Sequence, residues 1–196
     1  MEGILGIIIA ALFSQNFLLV KFLGICPFLG VSKKTDAALS MGIAVTLVMV
    51  ITCAVTYPIY YYVLTPFGIE YLEIIVFILV IASLVQMLEM ILKKFSPGLY
   101  SALGIYLPLV TTNCAILGVA ELVTVAGGVT GYGEAVIYGL FAGLGFTLAM
   151  VIMSGIREKV DKLSMPKALK GFPTTMIIAC FMAMAFSLFS MMKIGG

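Results

Sequence analysis

Six apolar runs dominate the chain, at residues 4–23, 37–63, 71–92, 99–120, 135–156 and 174–192, and each is long enough to cross a bilayer as a helix. A hydrocarbon core of about 30 Å takes about 20 helical residues. No water reaches backbone N–H and C=O groups there, so such runs must be helical wherever protein does not cover them. With 63% hydrophobic residues, 10% charged ones and neither His nor Trp among 196, the composition also lies outside the soluble range. The expected fold class is an all-α integral membrane protein, six transmembrane helices forming a single membrane domain over 1–196. The first run follows Glu2, with no basic residue and no small-residue cleavage site, so it is expected to stay in the mature protein.

Loops rich in Lys and Arg are retained in the cytoplasm, and here the bias is strong. Lys33 and Lys34 follow the first run, Lys93 and Lys94 the third, and Arg157, Lys159, Lys162, Lys167 and Lys170 the fifth. The loops around Glu70 and from 121 to 134 carry no basic residue, and Lys193 stands alone at the far end. The first set of loops is therefore expected inside and both termini outside. The 93–97 loop divides the runs into two sets of three, approximately 1–94 and 95–196. An odd number of spans per half turns the second half upside down relative to the first. Such inverted repeats commonly place their site near the bilayer midplane, between broken helices.

A cysteine repeats in the two halves. Cys-Pro-Phe-Leu-Gly-Val at 26–31 returns as Cys-Ala-Ile-Leu-Gly-Val at 114–119. Cys26 precedes Lys33 by the same interval at which Cys114 precedes Glu121. Each is then about 10 Å from its own interface, approaching the midplane from opposite sides. Gly24 and Pro27 flank one cysteine, Pro108 and Gly118 the other; such helix breakers are tolerated in membranes where unwound backbone is buried in protein. Spans one and four are expected to be broken there.

Thiolates are the usual ligands of iron-sulfur clusters, and the four-cysteine form needs two more than this pair provides. The others would come from another subunit. The absence of His disfavours haem and mixed-ligand zinc, and the absence of Cys-x-x-Cys removes the redox-dithiol reading. Burial as a small hydrophobe and an unusual intramembrane disulfide stay open as alternatives. Cys53 and Cys180, isolated in regular runs, read as buried hydrophobes.

Other residues carry weaker signals. Lys21, close before Cys26, either acts on the cysteine site electrostatically or snorkels to the inner interface. Glu89 precedes Lys93 by one helical turn, a favourable pair. The basic residues from Arg157 to Lys170 read as a topology signal, with docking of a partner or lipid phosphates as a further use. The methionines of the last run, Met176, Met182, Met184, Met191 and Met192, read as packing or lipid-facing residues rather than copper ligands. Gly139, Gly143, Gly145 and Gly155 permit close helix approach, with partner packing as the natural use. Nothing resembles a phosphate-cradling loop, a catalytic triad or a nucleic-acid patch, and the loops account for the net charge of +2.

Three segments carry a family resemblance: Val-Lys-Phe-Leu-Gly-Ile-Cys-Pro-Phe-Leu-Gly-Val-Ser-Lys-Lys at 20–34, Leu-Gly-Ile-Tyr-Leu-Pro-Leu-Val-Thr-Thr-Asn-Cys-Ala-Ile-Leu-Gly-Val-Ala at 103–120, and Gly-Ile-Arg-Glu-Lys at 155–159. The chain resembles, over essentially its whole length, the A subunits of the Rnf (Rsx) ion-translocating electron transport complex. The E subunit of the Na+-translocating NADH:quinone reductase shares the cysteine layout. Pro-Phe-Leu-Gly-Val after Cys26 and Thr-Thr before Asn113 favour the Rnf side.

The resemblance implies a subunit of a membrane-bound ferredoxin:NAD+ oxidoreductase that moves Na+ or H+ across a prokaryotic plasma (inner) membrane. It implies a direct heterodimer with a homologous E subunit of opposite topology, alongside subunits B, C, D and G. One 2Fe-2S cluster would be shared, with two cysteines from each subunit, here Cys26 and Cys114 as iron ligands. Electrons would pass between a carrier on the inner face and a flavin on the outer face, while chemistry at NAD belongs to another subunit. A cluster midway would divide the crossing of about 30 Å into two shorter hops. Half-helix N-termini directed at it would stabilise its reduced form, and Thr111, Thr112 and Asn113 would either add hydrogen bonds or cap the broken helix. The competing class is a stand-alone inverted-repeat transporter binding a solute at the break, where converging polar or charged residues are expected. This chain offers chiefly Cys, Gly, Pro and Thr-Thr-Asn there.

Overall fold

The computed structural model describes residues 16–32, 35–68, 70–95, 109–110, 112–124, 131–162 and 171–191. Every regular element among them is helical. Three helices have the length and apolarity to cross a membrane, Thr35–Phe67, Glu73–Ile91 and Tyr132–Val160, which makes the chain a multi-pass membrane protein. They coincide with the runs expected at 37–63, 71–92 and 135–156.

In chain order, α1 is Ile25–Val31 and α2 is Thr35–Ile59, which runs on through a π-helical turn at Tyr60–Leu64 and a last turn at Thr65–Phe67. Then come α3 at Glu73–Phe95, α4 at Cys114–Thr124, α5 at Tyr132–Val160 and α6 at Phe172–Met191. The π turn follows Pro58, which has no N–H to give to the helical ladder. Tyr57, Tyr60, Tyr61 and Tyr132 stack in this region, with Tyr57 and Tyr61 centroids 4.9 Å apart. Exposed Tyr62, Phe67 and Tyr71 extend the group, as aromatic residues gather where a bilayer meets water.

Two of the expected spans take a different form. Residues 16–24 are turns rather than the end of a continuous helix, and helix resumes at Ile25. The seven residues of α1 rise about 10 Å, a third of a bilayer core. In the fourth run, residues 99–108, with Pro108, lie outside the described residues, as does Thr111. The chain turns at Thr112 and Asn113, and α4 starts at Cys114. Gly118 does not break α4. A Cβ there would stand 2.6 Å from Leu23 Cδ1, so this glycine makes room for the neighbouring segment.

The core of the molecule is the pair α2 and α5, the most extensive helix contact. A Cβ on Gly42 would stand 2.6 Å from Thr147 Cγ2, and one on Gly143 2.7 Å from Thr46. The Thr46 and Thr147 hydroxyls lie 3.1 Å apart between them. Each also bonds a carbonyl one turn back, Thr46 to Gly42 and Thr147 to Gly143. The same Gly-x-x-x-Thr unit thus faces itself across an antiparallel contact. Gly139 continues the seam against Cys53, 2.8 Å from the sulfur by the same measure. Gly139 and Gly143 therefore serve packing within the chain, correcting the expectation of a partner contact for these two, whereas a Cβ on Gly155 would meet open space. With no hydrophobic gain between helices in lipid, such close packing and hydroxyl bonding are what hold them together.

On this core, the segment before α1 packs against α5, through Asn16 Nδ2 donating to the Gly145 carbonyl at 3.1 Å and the Phe17 and Tyr138 rings edge to face. α4 packs on α2 in turn. α3 and α6 lie outermost and present Ile75, Leu79, Ile177, Phe181 and Leu188 outward, as lipid contact requires. Met182 is buried whereas Met176 and Met184 are exposed, in keeping with packing and lipid-facing roles.

Candidate functional site

The approach to Cys26 is a run of unusual backbone. Asn16 Oδ1 accepts the Leu18 and Leu19 N–H groups at 3.1 and 3.4 Å, closing a tight turn. Phe22 has φ +55° and Gly24 φ +86°. A left-handed phenylalanine costs about 1–2 kcal/mol and persists only where its surroundings impose it. Gly24 is the N-cap of α1, which places Cys26 in the first turn. Pro27 follows in that turn, where no intrahelical N–H bond is lost.

Cys114 is the first residue of α4. Asn113 caps this helix: its Oδ1 accepts the Ala115 N–H at 3.1 Å and its carbonyl the Ile116 N–H. Of the two roles open to Asn113, its oxygen is spent on capping. Thr112 is exposed.

The two cysteine segments touch. The Gly24 N–H donates to Cys114 Sγ at 3.0 Å. A Cβ on Gly24 would meet Phe146 at 2.8 Å, Asn113 Oδ1 at 3.0 Å and Ala115 Cβ at 3.1 Å, so only glycine lets the two backbone segments come this close. Cys26 is two residues farther on, its Cα within about 8 Å of that of Gly24. Both thiols are free and exposed. Each sits in the first turn of its helix.

Three features bear on whether an iron-sulfur group fits. Among the described residues no three His, Cys, Asp or Glu side chains gather, so this chain offers half a tetrathiolate set at most. Its two thiols face outward, open to ligands from another chain. Asn113, 4% exposed, has an Nδ2 that bonds no protein atom. A buried amide donor without a partner costs about 1–3 kcal/mol, unless an acceptor such as a cluster sulfur or ligating thiolate arrives. The donor set and the orphan amide both fit a sulfur-rich anionic group.

Arg157 is the residue that sequence reasoning misplaced. In sequence it belongs with the loop lysines, but it is 8% exposed, and its Nη1 donates to the Leu29 carbonyl at 3.1 Å and to Ser32 Oγ at 2.9 Å. It therefore closes the C-terminal end of α1. Lys159 and Lys162 are exposed as expected, Lys162 pairing with Glu158 at 3.5 Å. Lys21 is exposed, and its Nζ lies 5.7 Å from the Phe17 ring centroid. Cys53 is buried as expected. Cys180 is not: it is exposed and borders a 440 Å³ apolar groove between α6 and the segment 18–29, because α6 packs mainly through another face.

Fold and site together define a multi-pass helical membrane protein with paired thiols at the starts of two half-length helices. The chain belongs to the Rnf-Nqr family: the family described as "Rnf-Nqr subunit, membrane protein" matches residues 4–193. It is 53% identical over 189 residues to the A subunit of the Na+-translocating ferredoxin:NAD+ oxidoreductase complex of Acetobacterium woodii, which covers 96% of this chain and 97% of that one. It is similarly 48% identical to the A subunit of the ion-translocating oxidoreductase complex of Syntrophotalea carbinolica, covering 95% of each. With that of Aliivibrio fischeri the identity is 46%, again over 95% of each chain.

Proposed function

We propose that this chain is the A-type membrane subunit of an ion-translocating ferredoxin:NAD+ oxidoreductase, holding half of a 2Fe-2S site that a homologous E-type subunit completes. One observation carries the reading. Two exposed thiols lie at the starts of helices whose leading segments touch through the Gly24 N–H on Cys114 Sγ, next to a buried amide donor with no partner among the described residues.

The cluster, when bound, supplies a one-electron relay within the membrane. The chain's own residues do the rest. Cys26 and Cys114 ligate iron, the first turns of α1 and α4 turn N–H groups toward the added negative charge, and the α2–α5 core fixes both half-helices to one frame. Subunits B, C, D and G would supply the remaining carriers and the NAD site, and the sequence leaves Na+ and H+ equally open.

The architecture proposed is a pair of inverted repeats, approximately 1–94 and 95–196, with spans one and four broken at the midplane. The reciprocal Gly42–Thr147 and Gly143–Thr46 contacts support it, because a two-fold axis in the membrane plane exchanges residues in this way. The loops at Lys33, Lys93 and Arg157 would then be cytoplasmic and both termini extracytoplasmic in the prokaryotic inner membrane.

Quantifying iron and acid-labile sulfide in the co-purified A–E pair tests the reading. Equal iron and sulfide are expected in the native pair, with both lost in Cys26→Ser and in Cys114→Ser but kept in Cys53→Ser and Cys180→Ser. An assembled native pair without iron would overturn it.

A further inference from the structure

We infer that Arg157 is a positioning residue for the Cys26 half of the site, anchoring α1 and supplying a buried positive charge at its far end. The inference rests on the iron-sulfur reading above for its electrostatic part, and on the geometry alone for its anchoring part.

Helix α1 is too short to hold itself. Seven residues leave the carbonyls of its last turn without intrahelical donors, and an isolated helix of that length is unstable. Where protein covers them, those carbonyls need donors from another segment. Arg157, from the end of α5, reaches the Leu29 carbonyl and the Ser32 hydroxyl with one nitrogen, and Ser32 is the C-cap residue of α1. The hydroxyl is itself fully buried. One side chain from the second half of the sequence thus closes the helix that carries Cys26, while Asn16 and Gly24 tie its leading segment to α5 and α4.

The charge matters as well as the bonds. Arg stays protonated in proteins, and among the described residues no carboxylate lies within ion-pair reach of it. Glu158, the next residue of α5, is engaged by Thr35 and Lys162, and Asp161, the C-cap residue one turn on from Arg157, borders the same inner-face cavity with Thr175 and Gly171. Ser32 is six residues from Cys26, so the guanidinium sits about 10 Å from the thiol along the helix. At 8% exposure the guanidinium is screened by water less than a surface charge is. A fixed cation there stabilises added electron density at Cys26, in the same sense as the helix dipole. Lys21, exposed on the other side, is screened.

The test compares Arg157→Gln, Arg157→Lys and Ser32→Ala in the intact complex in nanodiscs, by hydrogen exchange of the α1 peptide and by redox titration of the 2Fe-2S signal. Arg157→Gln is expected to speed α1 exchange at least tenfold, leave α4 unchanged and lower the midpoint potential. Arg157→Lys is expected to retain the native potential with partly faster exchange, because it keeps the charge while its shorter side chain holds the two acceptors less well. Ser32→Ala is expected to speed exchange at native potential. Native exchange in Arg157→Gln overturns the anchoring, whatever the fate of the cluster reading. A native potential in Arg157→Gln overturns the electrostatic part. A native complex without any signal strikes the iron-sulfur reading instead, and the exchange data still decide the anchor.

Discussion

Gly24 is the residue on which the site geometry turns most sharply. Its φ of +86° is costly for any L side chain, and a Cβ would press on Phe146 and Asn113. Gly24→Ala is expected to destabilise the complex by at least about 2 kcal/mol. Thermal unfolding in detergent would register this, and an unchanged transition would show that the contact is dispensable. Asn113→Ala is expected to cost about 1 kcal/mol from the lost cap and to lower the midpoint potential by removing the unused Nδ2 donor. Asn113→Asp keeps the cap oxygen and loses the donor, so it is expected to spare stability while still lowering the potential. Equal potentials in all three proteins would assign Asn113 to capping alone. The structure places Cys26 and Cys114 each in the first turn of a helix, and their repeated context was legible in the sequence. Arg157 was not, because a basic residue at the end of an apolar run looks alike whether it snorkels outward or turns in to cap a neighbouring helix. Its one sequence signal was position: it is the member of that basic cluster that follows directly on Gly155 and Ile156 at the end of the apolar run.

Among the elements, the long helices were legible and the short ones only in part. α2, α3 and α5 follow from apolar length, with errors confined to their ends, because lipid enforces helix on any run that spans it. The starts of α1 and α4 depend on buried partners in other segments, which hydropathy does not carry. Gly24, Pro27 and Gly118 all read as breakers, yet only Gly24 sits at a break; Gly118 accommodates Leu23. The α2–α5 seam had a signal in the repeated Gly-x-x-x-Thr at 42–46 and 143–147. Because Thr46 and Thr147 meet directly, Thr46→Val and Thr147→Val are expected to be non-additive, with a coupling of about 0.6 kcal/mol typical of membrane hydrogen bonds. A double-mutant cycle on the unfolding of the purified complex measures it, and strict additivity would mean that the hydroxyls do not pair. Gly143→Leu is expected to be far worse, splitting the seam and abolishing assembly on native gels.

At the scale of the whole molecule, two half-helices lean on one antiparallel core, and the segment leading to Cys26 meets Cys114 from a distant part of the chain. The orientation proposed rests on the basic loops. Cysteines introduced at Lys34 or Lys94 are expected to resist membrane-impermeant maleimide in intact cells, and one introduced near Glu70 to react. Labelling in the reverse pattern would invert the topology and place the anchored end of α1 outside. The central claim is that Cys26 and Cys114 together form half of a shared intramembrane iron-sulfur site, and low-temperature electron paramagnetic resonance tests it most directly. The dithionite-reduced A–E pair is predicted to give a 2Fe-2S signal that disappears in both Cys26→Ser and Cys114→Ser although the pair still assembles. A signal that survives either substitution, or none in a fully assembled native pair, would contradict the account.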